Sequence, residues 1–410
     1  MNKKICIDGR RDIYSGIGRV SYNLIKYLSI FDNHNKYFIL TNEDTYKYYL
    51  NLDVKILNIN IPLFSLKDLF EIPSLVDEFS LFISPQFYTS PLVKIPTIRF
   101  IHDLNLISPV HQHFLDFNEI TRRFSGDSIR NMEYILTNYQ NKGYFDKFGS
   151  RQLNEEMDFN KYSLQNYLYI TMILALINSR KIITVSNTSL NELKKYFPQY
   201  QEKYTIIYNF LENKFYNQNS FAKLDFILNV AKLDPRKNHF ILINAYKKLP
   251  ENLRKSYKLI IIGNHKFSSA NQEYLKNFFS CISSNYWKKY IIYKENITDE
   301  ELINLYREAR FVVSSSLVEG FCFPLVEAMA NKTLVLCSDI DINREITQES
   351  CVFFKSNDIN ELTDMMLKIL KNKIHEHNII EKAYEVSENY SVNRLIYHYI
   401  DIINEVIENK

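Results

Sequence analysis

The chain has 410 residues, with 50 basic and 47 acidic side chains and a formal net charge of +3. At roughly 100–200 residues per domain, this length favours two domains. The near balance of charge argues against a nucleic-acid-binding protein, because such proteins usually carry a concentrated basic face. The five cysteines are scattered without C-x-x-C spacing. We therefore expect neither a disulfide framework nor a zinc site, and a reducing, cytoplasmic location fits best.

The start of the chain is typical of a strand and lacks the apolar region of a signal peptide. The longest apolar stretch, residues 167–177, is shorter than the ~18–20 residues that cross a bilayer. We therefore expect no membrane span, while peripheral contact with the inner face of a membrane stays open.

In the first half, short β-branched runs alternate with amphipathic helical patterns such as 18–28 and 190–196. The predicted strands cover 5–8, 37–41, 54–57, 81–84, 97–102, 182–186 and 205–208. Segment 122–160 is polar and shows little strand character, so we interpret it as an insertion.

In the second half the same alternation restarts and ends on an amphipathic helix over 392–407. The predicted strands cover 226–231, 258–262, 291–293, 311–314, 334–337 and 352–354. Strands that alternate with helices indicate βαβ units and parallel sheets. We predict an α/β fold with two doubly wound, Rossmann-like domains, 1–209 and 210–390, separated in the polar segment 209–221.

Two glycines, Gly16 and Gly18, follow the first strand and open a helix. Glycine lets the backbone approach a phosphate, and a helix N-terminus offers free N–H groups to it. The third glycine of G-x-G-x-x-G is absent, because Ser21 takes its place. An ordinary glycine turn is the alternative.

A His-Asp pair, His102 and Asp103, stands at the end of the fifth predicted strand. Ligands of open α/β sheets bind beyond the carboxyl ends of strands. A histidine there can contact a sugar or move a proton. A histidine with a purely structural hydrogen bond is the alternative.

Three cations, Lys232, Arg236 and Lys237, lie in the turn after the first strand of the second half. Such cations at a helix start would stabilise the charge that develops on a leaving diphosphate. The alternative is a solvated basic turn.

Two glutamates, Glu319 and Glu327, flank the most informative segment, EGFCFPLVE. Pro324 suits the first turn of a helix, and backbone amides of residues 321–325, except that of Pro324, are expected to face a ligand. One carboxylate is suited to sugar hydroxyls and the other to ribose hydroxyls. Stabilisation of the helix dipole is the alternative for Glu327, which we place in the first turn.

A D-x-D pattern, Asp339 and Asp341, follows a later strand. It matches the metal-binding pattern of metal-dependent glycosyltransferases. Aspartate is also favoured in turns for local hydrogen bonding, so this short pattern is a weak indication of metal.

Together these motifs resemble family 4 retaining glycosyltransferases of the GT-B fold, in which two Rossmann-like domains face a central cleft. The matching segments follow in order along most of the chain: GIGRVSYNL, IHDLNLISP, ITVSNTSLNEL, LDPRKNH and ITDEELINLYREARFVVSSSLVEGFCFPLVEAMA. The resemblance implies that 1–209 is the acceptor side and that 210–390 binds the donor. It also implies that the C-terminal helix, about 391–410, packs back on the first domain.

For the first domain, the resemblance implies that Gly16 and Gly18 approach the donor phosphates. His102 would lie beside the donor sugar, with Asp103 ordering its surroundings.

For the second domain, the resemblance implies that Arg236 and Lys237 hold the diphosphate, with Lys232 where many relatives have arginine. Glu319 would bind the transferred sugar and Glu327 the ribose. Backbone amides around Phe321, Cys322 and Phe323 would complete the contacts. The cysteine departs from the family's Gly-Phe-Gly, and cysteine does not adopt every glycine conformation.

The implied reaction is retaining transfer of a hexose without a metal or other cofactor. The partners would be a nucleotide sugar, with GDP-mannose favoured over UDP-hexoses, and a glycan or lipid-linked glycan of a surface polysaccharide. Two alternatives remain: a metal-dependent GT-A transferase that uses Asp339 and Asp341, and a catalytically silent GT-B protein that binds a glycan or a partner.

Overall fold

The computed structural model describes residues 3–104, 131, 134–135, 163–217, 222–264 and 272–408. The chain divides into two compact units: Met1–Tyr208 with Ile396–Lys410, and Asn209–Leu395. Most of the segment 122–160 lies outside the described residues.

The first unit contains a parallel sheet of seven strands among the described residues, in the order β3-β2-β1-β4-β5-β6-β7. The strands are β1 Lys4–Asp8, β2 Lys36–Thr41, β3 Lys55–Asn58, β4 Leu81–Ser84, β5 Thr97–Ile101, β6 Lys181–Thr184 and β7 Tyr204–Ile206. The inner strands β4 and β5 are buried along their whole length, because helices cover both faces of a parallel sheet.

Among the described residues of the first unit, four α-helices have defined bounds: α1 Gly16–Phe31, α2 Leu66–Val76, α3 Ser163–Asn178 and α4 Asn187–Tyr196. The apolar run 167–177 lies in α3, and its residues from Leu168 onward belong to a buried core. Among the described helices, none is both long enough and apolar enough to cross a membrane.

The second unit contains a parallel sheet of six described strands, in the order β10-β9-β8-β11-β12-β13. The strands are β8 Phe226–Val230, β9 Lys258–Ile262, β10 Ile291–Lys294, β11 Phe311–Ser314, β12 Val335–Ser338 and β13 Val352–Phe354. This order is that of the doubly wound dinucleotide-binding fold.

In the part of the second unit that the structure describes, eight α-helices and one that continues into the first unit accompany these strands. They are α5 His239–Lys248, α6 Glu251–Ser256, α7 Gln272–Ile282, α8 Asp299–Glu308, α9 Phe323–Ala330, α10 Asp341–Thr347, α11 Ile359–Leu370, α12 Glu376–Ser387 and α13 Val392–Glu408. Residues of α13 from Ile396 onward belong to the first unit, where the Tyr399 ring stacks on that of Phe100 with centroids 5.9 Å apart.

The prediction of two doubly wound, parallel-sheet domains is confirmed. Each predicted strand is present, and about half of the strand ends move by one or two residues. The fifth strand ends at Ile101, so His102 and Asp103 follow the strand instead of ending it.

Candidate functional site

The order of the second sheet reverses between β8 and β11. These strands pair in parallel, with Phe311 opposite Ile227 and Val312 opposite Leu228. Their carboxyl ends therefore open side by side, and one chain segment leaves toward each side of the sheet. Ligands of doubly wound folds bind at such a switch point.

The turn after β8 is built by Asp234. Its carboxylate accepts hydrogen bonds from the backbone N of Arg236 at 3.0 Å and from Nε of Arg236 at 3.2 Å. Residues Pro235–Lys237 form one 3₁₀ turn. Asn238 then takes the left-handed conformation, with φ 51°, and α5 begins. The turn therefore presents two adjacent cationic side chains at the switch point.

Hydrogen bonds join this turn to the loop after β11. Ser315 Oγ donates to the carbonyl of Lys237 at 2.8 Å, and the backbone N of Leu317 donates to the carbonyl of Arg236 at 2.8 Å. Ser338 Oγ, from the end of β12, donates to the carbonyl of Ser316. The loop is thus held on both sides by neighbouring strand ends.

The Lys237 ammonium contacts Glu319 Oε1, which also accepts a hydrogen bond from Ser316 Oγ at 2.7 Å. The Lys237 and Glu319 side chains keep 17% and 10% of their surfaces exposed. A cation and an anion thus stand together at a place that a ligand can reach. This pair brings together two predicted site residues that are 82 positions apart.

The segment after Glu319 opens helix α9. Cys322 lies directly before the helix in the left-handed region, with φ 64° and ψ 67°. Burial, then the Glu319 carboxylate, raises the pKa of the Cys322 thiol to about 12, so the thiol stays protonated. Phe321 and Phe323 are in ring contact, with centroids 5.1 Å apart. The backbone N of Leu325 donates to the Cys322 carbonyl at 3.1 Å, so this predicted ligand amide is already engaged.

Glu327 is buried, and its Oε2 accepts a hydrogen bond from Tyr306 Oη at 2.7 Å. The prediction that it lies in the first helical turn is wrong. The helix begins at Phe323, and Glu327 is its fifth residue. Its carboxylate is therefore fixed by Tyr306 of α8, a partner that the sequence pattern did not indicate.

The third predicted cation, Lys232, is partly exposed in the same turn after β8. Sequence reasoning missed a glycine that faces this turn. A Cβ atom at Gly263 would lie 2.0 Å from the carbonyl oxygen of Ala231, so the end of β9 packs on the turn only without a side chain. The sequence feature that could have indicated Gly263 is an apolar strand that ends in glycine.

The D-x-D residues are not gathered into a metal site. Asp339 follows β12 and forms two bonds to Arg344, from Nε at 2.6 Å and Nη2 at 2.8 Å, while Asp341 begins α10. In the part of the chain that is described, no group of three or more His, Cys, Asp or Glu residues is placed to hold a metal ion.

In the first unit, the two predicted glycines have different environments. The backbone N of Gly18 donates to Ser15 Oγ at 3.0 Å, and a Cβ there would lie 1.8 Å from the carbonyl oxygen of Asp12. Gly18 is therefore required by the packing of its own loop. Around Gly16, a Cβ would meet no atom within 4 Å.

His102 lies directly after β5, where its Nε2 is 2.8 Å from the Pro85 carbonyl. A carbonyl only accepts, so Nε2 carries the proton and Nδ1 is the acceptor in the neutral ring. Burial lowers the pKa of His102, which favours that neutral form. The backbone carbonyl of His102 accepts from Ser189 Oγ at 2.9 Å, and Asp103 beside it is partly exposed.

Comparison with known proteins follows the same division of the chain. Residues 212–386, in the second unit, match the family model described as glycosyl transferases group 1. The chain is 29% identical over 167 residues to the serotype-specific mannosyltransferase WbdA of Escherichia coli, which covers 41% of this chain and 20% of that protein. It is 26% identical over 192 residues to the O-antigen chain mannosyltransferase RfbU of Salmonella typhimurium, with shares of 47% and 51%. The matches thus span between a fifth and half of these relatives.

Similarity of structure extends over both units. The crystal structure of Anabaena Alr3699/HepE in complex with UDP and glucose is similar, with a TM-score of 0.71 over 98% of this chain and all of that chain, at 14% identity. The fold is thus that of the GT-B glycosyltransferases, and the GT-A alternative is wrong because two parallel-sheet units are present. The family model that the second unit matches and the two mannosyltransferase relatives agree with the predicted resemblance to family 4 glycosyltransferases.

Proposed function

We propose that this protein transfers a hexose, with retention of configuration, from a nucleotide sugar to a hydroxyl of a glycan or lipid-linked glycan in surface polysaccharide synthesis. The observation that carries the proposal is the contact between Lys237 and Glu319 at the β8–β11 switch point. An ammonium suited to phosphate and a carboxylate suited to sugar hydroxyls stand side by side there. A nucleotide sugar carries both kinds of group, a diphosphate and sugar hydroxyls, next to each other.

In this proposal, Arg236 and Lys237 bind the diphosphate and Glu319 binds hydroxyls of the transferred hexose. Lys232, on the same turn, adds positive charge. Glu327 acts on the ribose, with Tyr306 holding its carboxylate in place. Phe321, Cys322 and Phe323 shape the backbone turn that leads into α9. For the first unit, we propose donor-binding roles for Gly16, His102 and Asp103, while Gly18 keeps its own loop closed.

The proposed chemistry breaks the bond between the anomeric carbon and the diphosphate oxygen. The acceptor oxygen forms its bond to that carbon on the same face, and its proton passes to the departing phosphate. Stabilising the leaving diphosphate is then the main task of the protein. Cations of the turn after β8 supply that stabilisation, so we propose no requirement for a divalent metal.

Mannose from GDP-mannose is the proposed donor, supported by the names of the relatives WbdA and RfbU. UDP-hexoses compete with it, since Alr3699/HepE was solved with UDP and glucose. The proposed location is cytoplasmic, at or near the inner face of a membrane.

A panel of nucleotide sugars tests the proposal. Purified protein is incubated in EDTA with GDP-mannose, UDP-glucose, UDP-galactose or UDP-N-acetylglucosamine, together with alkyl glycosides as acceptors, and released hexose and new glycosides are followed by mass spectrometry and NMR. We expect turnover of one donor and an α-linked product from an α-linked donor. Binding of nucleotide without release or transfer of hexose from any donor would instead support the silent binding protein.

A further inference from the structure

Two exposed tyrosines, Tyr14 and Tyr46, and the partly exposed Tyr48 lie at the carboxyl edge of the first unit's sheet. Tyr14, in the loop after β1, is 74% exposed, and Tyr46 and Tyr48 form a 3₁₀ turn after β2. The rings of Tyr14 and Tyr48 are perpendicular, at 87°, with centroids 6.3 Å apart. We call Tyr14, Tyr46 and Tyr48 the tyrosine platform. Neighbouring aromatic rings that are accessible to solvent at the ligand-binding edge of a sheet indicate a binding site.

The turn that carries Tyr46 and Tyr48 is anchored to the sheet. Tyr49 is fully buried, and its Oη donates to the Gly9 carbonyl at 3.2 Å. A Cβ at Gly9 would lie 2.9 Å from Tyr49 Oη, so glycine is needed for this close contact. Asn42 Oδ1 accepts from the backbone N of Thr45 at 3.0 Å. The platform is therefore held in place before any ligand arrives.

The loop that carries Tyr14 is fixed by Asp12. Its carboxylate accepts from the backbone N of Tyr14 at 3.0 Å, and its carbonyl accepts from Ser15 Oγ at 2.7 Å. The absence of a side chain at Gly18 lets that carbonyl sit against α1. Tyr14 thus projects from an ordered loop, and its exposure is built into the fold.

The charged residues around the tyrosine platform indicate which class of ligand it can bind. The flanking residues are acidic at Asp12, Glu43 and Asp44, and basic at Arg11 and Lys47. Lys47 lies over the Tyr48 ring at 5.3 Å, and Arg11 lies over the Tyr88 ring at 5.7 Å. An anionic lipid surface needs a basic cluster, which this edge lacks. A neutral sugar fits, because its C–H face packs on an aromatic ring and its hydroxyls donate to carboxylates.

We propose that Tyr14 and Tyr48 form a stacking subsite for one pyranose ring of the acceptor glycan. In this subsite, the carboxylates of Asp12 and Asp44, which are near Tyr48, would accept from hydroxyls of the sugar. Burial, then the nearby Asp12, Tyr14 and Asp44, raises the pKa of Tyr48, so its hydroxyl stays protonated and able to donate. This role as an acceptor subsite rests on the proposed transferase function, whereas binding of a sugar by the platform does not.

Saturation-transfer NMR tests the subsite with methyl α-mannoside, methyl α-glucoside and methyl α-galactoside. We expect the unaltered protein to bind at least one of them, through protons of one ring face. Tyr14→Ala should weaken that binding about fivefold or more, while Tyr14→Phe keeps the ring and stays within about twofold. Tyr286→Ala is the matched control, because Tyr286 is 43% exposed in the second unit.

Binding of GDP and UDP is measured on the same variants and should not change in Tyr14→Ala. Absence of binding of all three glycosides, or equal binding by Tyr14→Ala, overturns the subsite. Loss of attachment to phosphatidylglycerol vesicles in Tyr14→Ala, with glycoside binding intact, overturns it in favour of a membrane contact. Glycoside binding by a protein that binds and turns over no nucleotide sugar would refute the transferase function alone.

Discussion

The two units place acidic and basic side chains at the same topological point and use them differently. In the first unit, the sheet order reverses between β1 and β4. Arg10 donates there from Nε and Nη2 to the two oxygens of Asp8, both at 2.9 Å, and from Nη2 to Asp68 at 2.7 Å. Thr89 Oγ1 adds a bond to Asp8 at 2.7 Å. None of the Arg10 or Asp8 side chain is exposed.

In the second unit, the corresponding point holds Lys237 and Glu319, which remain partly exposed. The two charge clusters differ in how far their hydrogen bonds are already taken up within the protein. A guanidinium shared between two buried carboxylates has nothing to offer a ligand, and its partners cannot be replaced without cost. The Lys237 ammonium and the Glu319 carboxylate are reached by solvent. Each can therefore give up its contact with the other, and the ammonium can then bind a phosphate and the carboxylate a hydroxyl. Position in the fold alone therefore does not identify a site.

The largest effect is expected when the buried charge cluster of the first unit loses Arg10. Arg10→Ala leaves Asp8 and Asp68 as uncompensated buried carboxylates, so we expect a loss of about 3–5 kcal/mol in the free energy of unfolding. Urea denaturation followed by circular dichroism measures it. Lys4→Ala is the control, because the Lys4–Glu78 pair is largely exposed and is expected to matter by less than about 1 kcal/mol. Equal losses in the two variants would refute the distinction.

The next effect concerns turnover. If Arg236 and Lys237 stabilise charge as the diphosphate leaves, the double change Arg236→Ala/Lys237→Ala should lower kcat by about 10²–10³. Steady-state kinetics at saturating donor is the measurement, on a variant of unchanged melting temperature. Lys288→Ala/Lys289→Ala removes two exposed charges of the same unit and should leave kcat unchanged. A normal kcat in Arg236→Ala/Lys237→Ala would mean that these two cations are only solvated and do not stabilise the leaving group.

A smaller effect is expected on nucleotide affinity. Loss of a charged hydrogen bond to ribose in Glu327→Ala should cost about 1.5–3 kcal/mol in binding of the nucleoside diphosphate. Calorimetric titration measures it. Tyr306→Phe keeps the carboxylate but removes the hydrogen bond that orients it, so an intermediate loss is expected. Unchanged affinity in a folded Glu327→Ala protein would exclude the ribose contact.

The smallest effect isolates the backbone before α9. Cys322 has a positive φ, a conformation that glycine adopts without the steric cost of a Cβ. Cys322→Gly and Cys322→Ala both remove the thiol, and only the alanine keeps the Cβ. We expect the glycine variant to be more stable than the alanine variant by about 1–2 kcal/mol. Thermal unfolding of both compares them, and equal stability would mean that the Cβ is not strained.

The strands could be predicted because apolar, β-branched runs such as 258–262 and 311–314 mark buried parallel strands without reference to the rest of the chain. The pairing of Lys237 with Glu319 could not, since it depends on β8 and β11 becoming neighbours. The burial of Arg10 was also missed, because a charged residue after a strand usually lies in water. Local patterns thus indicated which segments matter, and the fold decided which side chains meet.

The most direct test of the central claim is titration of GDP and UDP into the protein in EDTA, beside Lys237→Met. Lys237→Met keeps the length of the side chain and removes the charge that binds phosphate. We predict that one nucleotide binds without metal and that the variant binds it at least tenfold more weakly, the equivalent of about 1.4 kcal/mol. Binding that needs manganese, or that is equal in the variant, would contradict a donor site built on Lys237 and Glu319.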